Sequence, residues 1–177
     1  MIIFVTNVVI MNSYTSNKNI KNLVNEPDVF YNLNNKYDRI ISILGGTASI
    51  GQAINSDIDL IEISRKGLPK SVVITLSHIL GVSMEEMSHL IHVSHRTIQR
   101  KSDTDLLNVY STEQVLEIAE VISRGIDVFG TVDLFTSWLH DEIRHLNYKK
   151  PIHFLDTSFG TKLILDTLGR IEHGIYS

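Results

Sequence analysis

Residues 83–101, SMEEMSHLIHVSHRTIQRK, decide the fold of this 177-residue chain. Ser83, followed three residues later by Glu86, has the pattern of a capping box, which begins a helix. Ser94 can cap a second short helix, because serine at this position accepts a hydrogen bond from the first turn. The two helices are separated by a turn of about three residues. The stretch therefore predicts a helix-turn-helix.

His92 occupies the turn, small Ser88 faces it, and Val93 and Ile98 are the apolar residues that lock the two helices together. Such turns usually contain glycine, because glycine reaches the left-handed conformation without steric cost. Histidine tolerates that conformation better than most residues. His92 therefore weakens the motif without excluding it.

The outer face of the second helix carries side chains that can bind phosphates and base edges. These candidate DNA-binding residues are Ser94, His95, Arg96, Thr97, Gln99, Arg100 and Lys101. The alternative is an ordinary helical hairpin with a solvated basic face, which is the commoner meaning of a run of charges.

Charge is distributed unevenly along the chain. Residues 62–101 contain six Lys/Arg against three Asp/Glu, whereas residues 102–177 contain six against twelve. The net charge of −4 argues against indiscriminate binding to nucleic acid. The basic part could nevertheless face phosphate, and the acidic part could face a basic partner.

Helical spacing of apolar residues and helix caps extend in both directions from this stretch. Pro69 begins the helix before it, and a longer helix is expected from near Thr112 to Phe129. Thr131, Pro151 and Thr157 can each begin a later helix. Because no alternation typical of strands follows residue 11, the sequence predicts an all-α fold. Trp138 and Phe159 are expected in its core.

The opening MIIFVTNVVIM is too short to span a membrane and lacks the features of a signal peptide. It could be a short strand, or extra sequence ahead of a start at Met11. Residues 12–36 are rich in Asn and Ser and show no helical period. We therefore expect residues 1–36 to be a poorly ordered lead-in.

Several chemistries are disfavoured by the residues present. The chain has no cysteine, so it forms no disulfide or thiolate site, and a reducing, cytoplasmic location is allowed. The histidines of HDEIRH at 140–145 are five residues apart rather than four, which disfavours a zinc helix. The glycines of LGGTASIG do not match a dinucleotide loop. We expect no metal, no cofactor and no enzymatic activity.

From about Ile43 to its end, the chain resembles the Xre/MbcA/ParS family of antitoxins, in particular those paired with RES-domain toxins. The shared motifs are LGG at 44–46, GLP at 67–69, the RT of SHRTIQRK, VFG at 128–130, WL at 138–139, PIHFLDTSFG at 151–160 and LGRIEHGIYS at 168–177. Each motif is weak alone, and their shared order carries the resemblance.

The resemblance implies an Xre-like helix-turn-helix domain at 37–111 and a toxin-binding domain at 112–177. It also implies an antitoxin that blocks the NAD site of an ADP-ribosyltransferase-like RES toxin, represses its own promoter, forms a homodimer and assembles with toxin into larger hetero-oligomers. The candidate toxin-binding residues at the chain end are Arg170, Glu172, His173, Ile175 and Tyr176.

Two other functions remain open at this point. The chain could be a free-standing transcriptional regulator whose C-terminal domain binds a small effector. It could also be an enzyme acting on NAD, although the sequence offers neither a glycine loop nor a plausible catalytic pair. A RES-domain reading frame beside its gene would favour the antitoxin.

Overall fold

The structure, a computed structural model, describes residues 35–174. In this part of the chain the α-helices are α1 (Lys36–Ile43), α2 (Thr47–Ile50), α3 (Asp57–Lys66), α4 (Lys70–Leu80), α5 (Met84–Leu90), α6 (His95–Arg100), α7 (Val109–Phe129), α8 (Val132–His140) and α9 (Ser158–Glu172). Two 3₁₀ turns, Arg144–Leu146 and Pro151–Phe154, lie between α8 and α9.

The all-α prediction is confirmed for the described residues, which include isolated β-bridges but no strand. No helix among residues 35–174 is both long enough and apolar enough to cross a membrane. The predicted opening strand or extra start at 1–11 lies outside the described residues. So does the rest of the predicted lead-in up to residue 34.

Local capping explains most helix ends. Ser83 and Glu86 form the predicted capping box, and Thr131 and Thr157 cap α8 and α9 through their side chains. α1 begins at Lys36, inside the predicted lead-in, because the Asn35 side chain accepts a hydrogen bond from the first turn. α7 begins three residues before Thr112, because Asn108 provides its cap.

The long helix α7 lies at the centre of the protein. Its apolar residues, which include Val115, Ile118 and Ile122, are fully buried. Val121 and Gln114 are buried as well, because α7 is covered on more than one side. Helices α1 and α3 pack against it from the first half of the chain, and α8 and α9 from the second. One helix therefore carries the core of both halves.

Helices α7 and α8 approach each other closely at Gly125. A Cβ added at Gly125 would lie 2.2 Å from the ring of Phe135, which is fully buried. Trp138 packs beside this contact, with its ring centroid 5.3 Å from that of Phe129 and 6.1 Å from that of Phe135. Trp138 is partly buried against the core, as expected.

The expectation for Phe159 is wrong, since this side chain is 91% exposed. Gly160, Thr161, Ile164 and Leu168 form the buried face of α9. Successive residues of an α-helix turn by about 100°, so Phe159 lies on the opposite side from Leu168. The expectation was wrong because it considered only the apolar side chain of Phe159 and not its position around the helix.

The helix-turn-helix is built as predicted. His92 has a φ of 57°, in the left-handed region, and the N–H of Val93 donates to the carbonyl of Ser88 at 3.0 Å. Ile98 is buried and holds α6 in place. The His92 side chain also reaches the other half of the chain, where its Nε2 donates to the carbonyl of Asp156 at 2.6 Å.

We predict that Gly125→Ala destabilises the fold by about 1–3 kcal/mol, the usual cost of forcing an extra group into a packed core. Gly169→Ala in α9 is the matched control, because a Cβ there meets nothing within 4 Å. The control should be neutral or slightly stabilising, since alanine favours helix over glycine. Denaturant unfolding of both variants tests this. Equal effects would show that the α7–α8 contact tolerates the methyl group.

The two roles of His92 predict different effects for two substitutions. His92→Ala should cost about 1 kcal/mol, because the hydrogen bond to Asp156 is lost. His92→Gly loses the same bond but relieves the left-handed backbone, which for other residues costs about 1–2 kcal/mol. The glycine variant should therefore be more stable than the alanine variant in denaturant unfolding. A glycine variant no more stable than the alanine variant would contradict the turn geometry.

Candidate functional site

The first candidate site is the outer face of α6. Its six residues rise about 9 Å along the helix axis, and the major groove of B-DNA, about 12 Å wide, admits an α-helix about 10–12 Å in diameter. Arg96, Gln99 and Arg100 are exposed on the side away from buried Ile98. These three long side chains can donate to phosphates or base edges.

Other predicted DNA-binding residues already have bonds within the protein. The Ser94 hydroxyl caps α6 by accepting from the N–H of Thr97, and the hydroxyls of the two residues lie 2.7 Å apart. Lys101 Nζ donates to the carbonyl of Leu106 at 2.7 Å, so this ammonium is turned towards the following loop. His95 is only half exposed.

Four of the predicted DNA-binding residues line one open pocket on the surface. Arg96, Thr97, Arg100 and Lys101 surround a volume of about 320 Å³. Lys101 is among them, but its ammonium is bonded to the Leu106 carbonyl. Arg96 and Arg100 are therefore the cationic groups that this concave surface offers to an anion such as a phosphate.

The second candidate site is the end of α9. Arg170 and His173 are exposed, and their positions place them within about 60° of each other around the helix axis. Glu172 follows Arg170 by two residues and therefore lies about 200° away from it. The predicted set is thus divided between two sides of the helix. Ile175 and Tyr176 lie outside the described residues.

Glu172 is bound to the protein's own long helix. Its carboxylate accepts from both terminal nitrogens of Arg124 in α7, with 3.3 Å between Arg124 Nη1 and Glu172 Oε1. These hydrogen bonds, followed by the opposite charge, lower the pKa of Glu172 below its usual value. The Glu172 carboxylate is therefore ionised at neutral pH, and its bond to Arg124 connects the end of α9 to α7.

The beginning of α9 is also fixed to α7. Gln114 Nε2 donates to the carbonyl of Leu155 at 2.6 Å, and the Ser158 hydroxyl donates to Glu117 at 2.8 Å. Gly160 packs so closely that a Cβ there would lie 1.9 Å from the carbonyl oxygen of Phe154. The beginning of α9 is therefore held in a fixed position, whereas its end is connected to α7 by an exposed ion pair.

The sequence analysis did not predict that Phe159 and Leu163 form an exposed pair on this helix. It also did not predict that His92 binds Asp156 or that Glu172 binds Arg124. The pair could have been found by plotting residues 158–172 around a helix axis, since the small and apolar residues cluster on the other side. The sequence contains no comparable signal for the partners, because they lie 64 and 48 residues away along the chain.

Two family models match the chain, the first over the part that contains α6 and the second over the part that contains α9. Residues 59–120 match the antitoxin Xre-like helix-turn-helix domain, and residues 124–174 match the antitoxin Xre/MbcA/ParS C-terminal toxin-binding domain. Both models describe antitoxin domains rather than enzymes. The matches meet inside α7. The finer boundary predicted after residue 111 stays a prediction.

Curated relatives carry the same description. The chain is 26% identical over 131 residues to "Antitoxin Xre" of Photorhabdus laumondii, covering 73% of this chain and 88% of that protein. It is 22% identical over 130 residues to "Antitoxin Xre" of Yersinia enterocolitica, covering 72% and 88%.

Among solved structures, a chain of the M. tuberculosis MbcT-MbcA toxin-antitoxin complex matches with 16% identity and a TM-score of 0.43, over 70% of this chain and all of that one. This TM-score is too low to show a shared fold. The two domain matches and the curated relatives establish the family without it: the chain belongs to the Xre/MbcA/ParS family of antitoxins, with a helix-turn-helix domain followed by a toxin-binding domain.

Proposed function

We propose that this antitoxin neutralises a RES-domain toxin by placing its C-terminal end across the toxin's NAD site. The observation that carries the proposal is the position of Arg170 and His173, exposed at the end of the last helix of the toxin-binding domain. Among residues 35–174, no hydrogen bond or ion pair holds the Arg170 side chain. Its guanidinium is therefore available to a partner.

The chemistry of this end suits a nucleotide cleft. A guanidinium can form a bidentate pair with a toxin carboxylate, and an acid can occupy arginines that otherwise bind the phosphates of NAD. Arg170 fits the first role. Glu172 fits the second if it exchanges Arg124 for an arginine of the toxin. Exposed ion pairs of this kind contribute little to stability, so the exchange is energetically accessible.

We also propose that α6 binds the operator of the antitoxin's own gene. Arg96, Gln99 and Arg100 are the exposed donors of a helix in the position of a recognition helix. A homodimer would present two such helices to half-sites one DNA turn apart, and toxin bound to each antitoxin would give a larger hetero-oligomer. Both activities would take place in the cytoplasm, where the operon and the NAD pool are found.

We predict that Arg170→Ala weakens binding to the RES-domain protein encoded in the same operon. Loss of one partner of a buried interfacial charge pair costs about 2–5 kcal/mol, which raises the Kd by tens to thousands of times. Arg144→Ala is the control, because Arg144 is also exposed in the same domain. Calorimetric titration of the purified proteins measures both affinities.

Deletion of residues 169–177 should abolish rescue of toxin-producing cells. A folded deletion protein that still protects these cells would overturn the proposal.

We predict that Arg96→Ala and Arg100→Ala each weaken binding to duplex DNA from upstream of the antitoxin gene by about 1–3 kcal/mol, as expected for a lost base contact. Arg65→Ala, at the exposed end of α3, is the control. Gel-shift titrations compare the variants, and wild-type binding should weaken as salt rises, because phosphate contacts release counterions. Unchanged binding in both α6 variants would leave this segment a purely structural hairpin.

A further inference from the structure

An aromatic side chain stands nearly free in solvent at the beginning of α9. Phe159 is 91% exposed, and Leu163, one turn further on, is 41% exposed. Leaving a phenylalanine in water forgoes about 1.5–3 kcal/mol of burial energy. Many single exposed apolar residues need no explanation, so further evidence is needed to assign a role to this pair.

The pair lies on the same side of α9 as Arg170. Phe159, Leu163, Asp166 and Arg170 follow one another at spacings of four, three and four residues, and all four are exposed. This spacing places them in one row along a helix, over a length of about 16 Å. The apolar pair is therefore continuous with the end that the proposed function assigns to the toxin.

The row is presented by a rigid part of the fold. Gln114 fixes Leu155, Glu117 fixes Ser158, and the close approach of Gly160 to Phe154 sets the position of the first turn. A backbone segment held in advance loses less conformational entropy when a partner binds it. Exposed aromatic residues on such fixed backbones are typical anchors of protein interfaces.

We infer that the row Phe159, Leu163, Asp166 and Arg170 binds the toxin, with Phe159 as an apolar anchor far from the chain end. The inference rests on the proposed function and extends it. The row lies within residues 124–174, the part that matches a toxin-binding domain, and its other side is buried in the antitoxin's own core. The partner surface should therefore be an apolar groove that takes Phe159 and Leu163, bordered by charges complementary to Asp166 and Arg170.

The test compares Phe159→Ala and Phe159→Leu in calorimetric titration with the RES-domain protein of the same operon. The alanine variant should raise the Kd tenfold or more, and the leucine variant should restore most of the affinity, because it keeps an apolar anchor. Ile58→Ala is the matched control. Ile58 is 68% exposed and lies outside residues 124–174, so its loss should leave the Kd unchanged.

Each result separates this inference from the proposed function. If Phe159→Ala binds normally while Arg170→Ala binds weakly, the inference is overturned and the chain end alone carries binding. If neither variant loses affinity, both proposals fail. The row could instead bind a second copy of the antitoxin, and analytical ultracentrifugation of the antitoxin alone tests this. If Phe159→Ala dissociates a dimer and leaves the toxin Kd unchanged, the row binds a second copy and the inference is overturned.

The stability of Phe159→Ala is checked by its thermal unfolding, which should match wild type, because the side chain is exposed. Leu163→Ala provides a second test of the row, with a smaller rise in Kd expected from the loss of a half-exposed side chain. If Leu163→Ala and Phe159→Ala both bind as tightly as Ile58→Ala, the apolar part of the row plays no part in recognition.

Discussion

The close packing of α7 against helices from both halves of the chain is the constraint on which the rest of the structure depends. Helices α1 and α3 pack against it from the first half of the chain, and α8 and α9 from the second. At Gly125 the approach is so close that only a hydrogen atom fits between α7 and the ring of Phe135. Because α7 belongs partly to each matched domain, neither half has a complete core without it.

This shared helix fixes where the two candidate sites lie relative to the core. Arg124 near the end of α7 binds Glu172, and Gln114 and Glu117 earlier in α7 hold the beginning of α9. The helix-turn-helix is tied to the same region, since His92 in its turn donates to the carbonyl of Asp156 just before α9. The helix-turn-helix and α9 are thus both hydrogen-bonded to the rest of the core rather than joined by a free linker.

The parts of the fold that could be predicted from sequence depend on local chemistry. The capping box at Ser83, the caps at Thr131 and Thr157 and the left-handed turn at His92 each involve residues only a few positions apart. The order of the family motifs likewise identified the two domains. These signals need no knowledge of how distant segments meet.

What could not be predicted depends on contacts between distant residues. Phe159 was expected in the core because it is large and apolar, yet only its position around α9 decides that it faces solvent. Glu172 was assigned to the toxin, and nothing near it in sequence indicates that Arg124 binds it first. The site at the chain end was therefore predicted from the types of residues present, and the structure adds that Arg170 and Glu172 lie on different sides of the helix.

The most direct test of the toxin-binding surface is hydroxyl-radical footprinting of the antitoxin with and without the proposed RES-domain toxin. Phe159 is 91% exposed and Tyr110, in the first turn of α7, is 79% exposed, so both should react strongly in the free protein. We expect bound toxin to suppress labelling of Phe159 while Tyr110 stays reactive. Unchanged labelling of Phe159 together with protection on the outer face of α6 would contradict it, because the toxin would then occupy the helix-turn-helix.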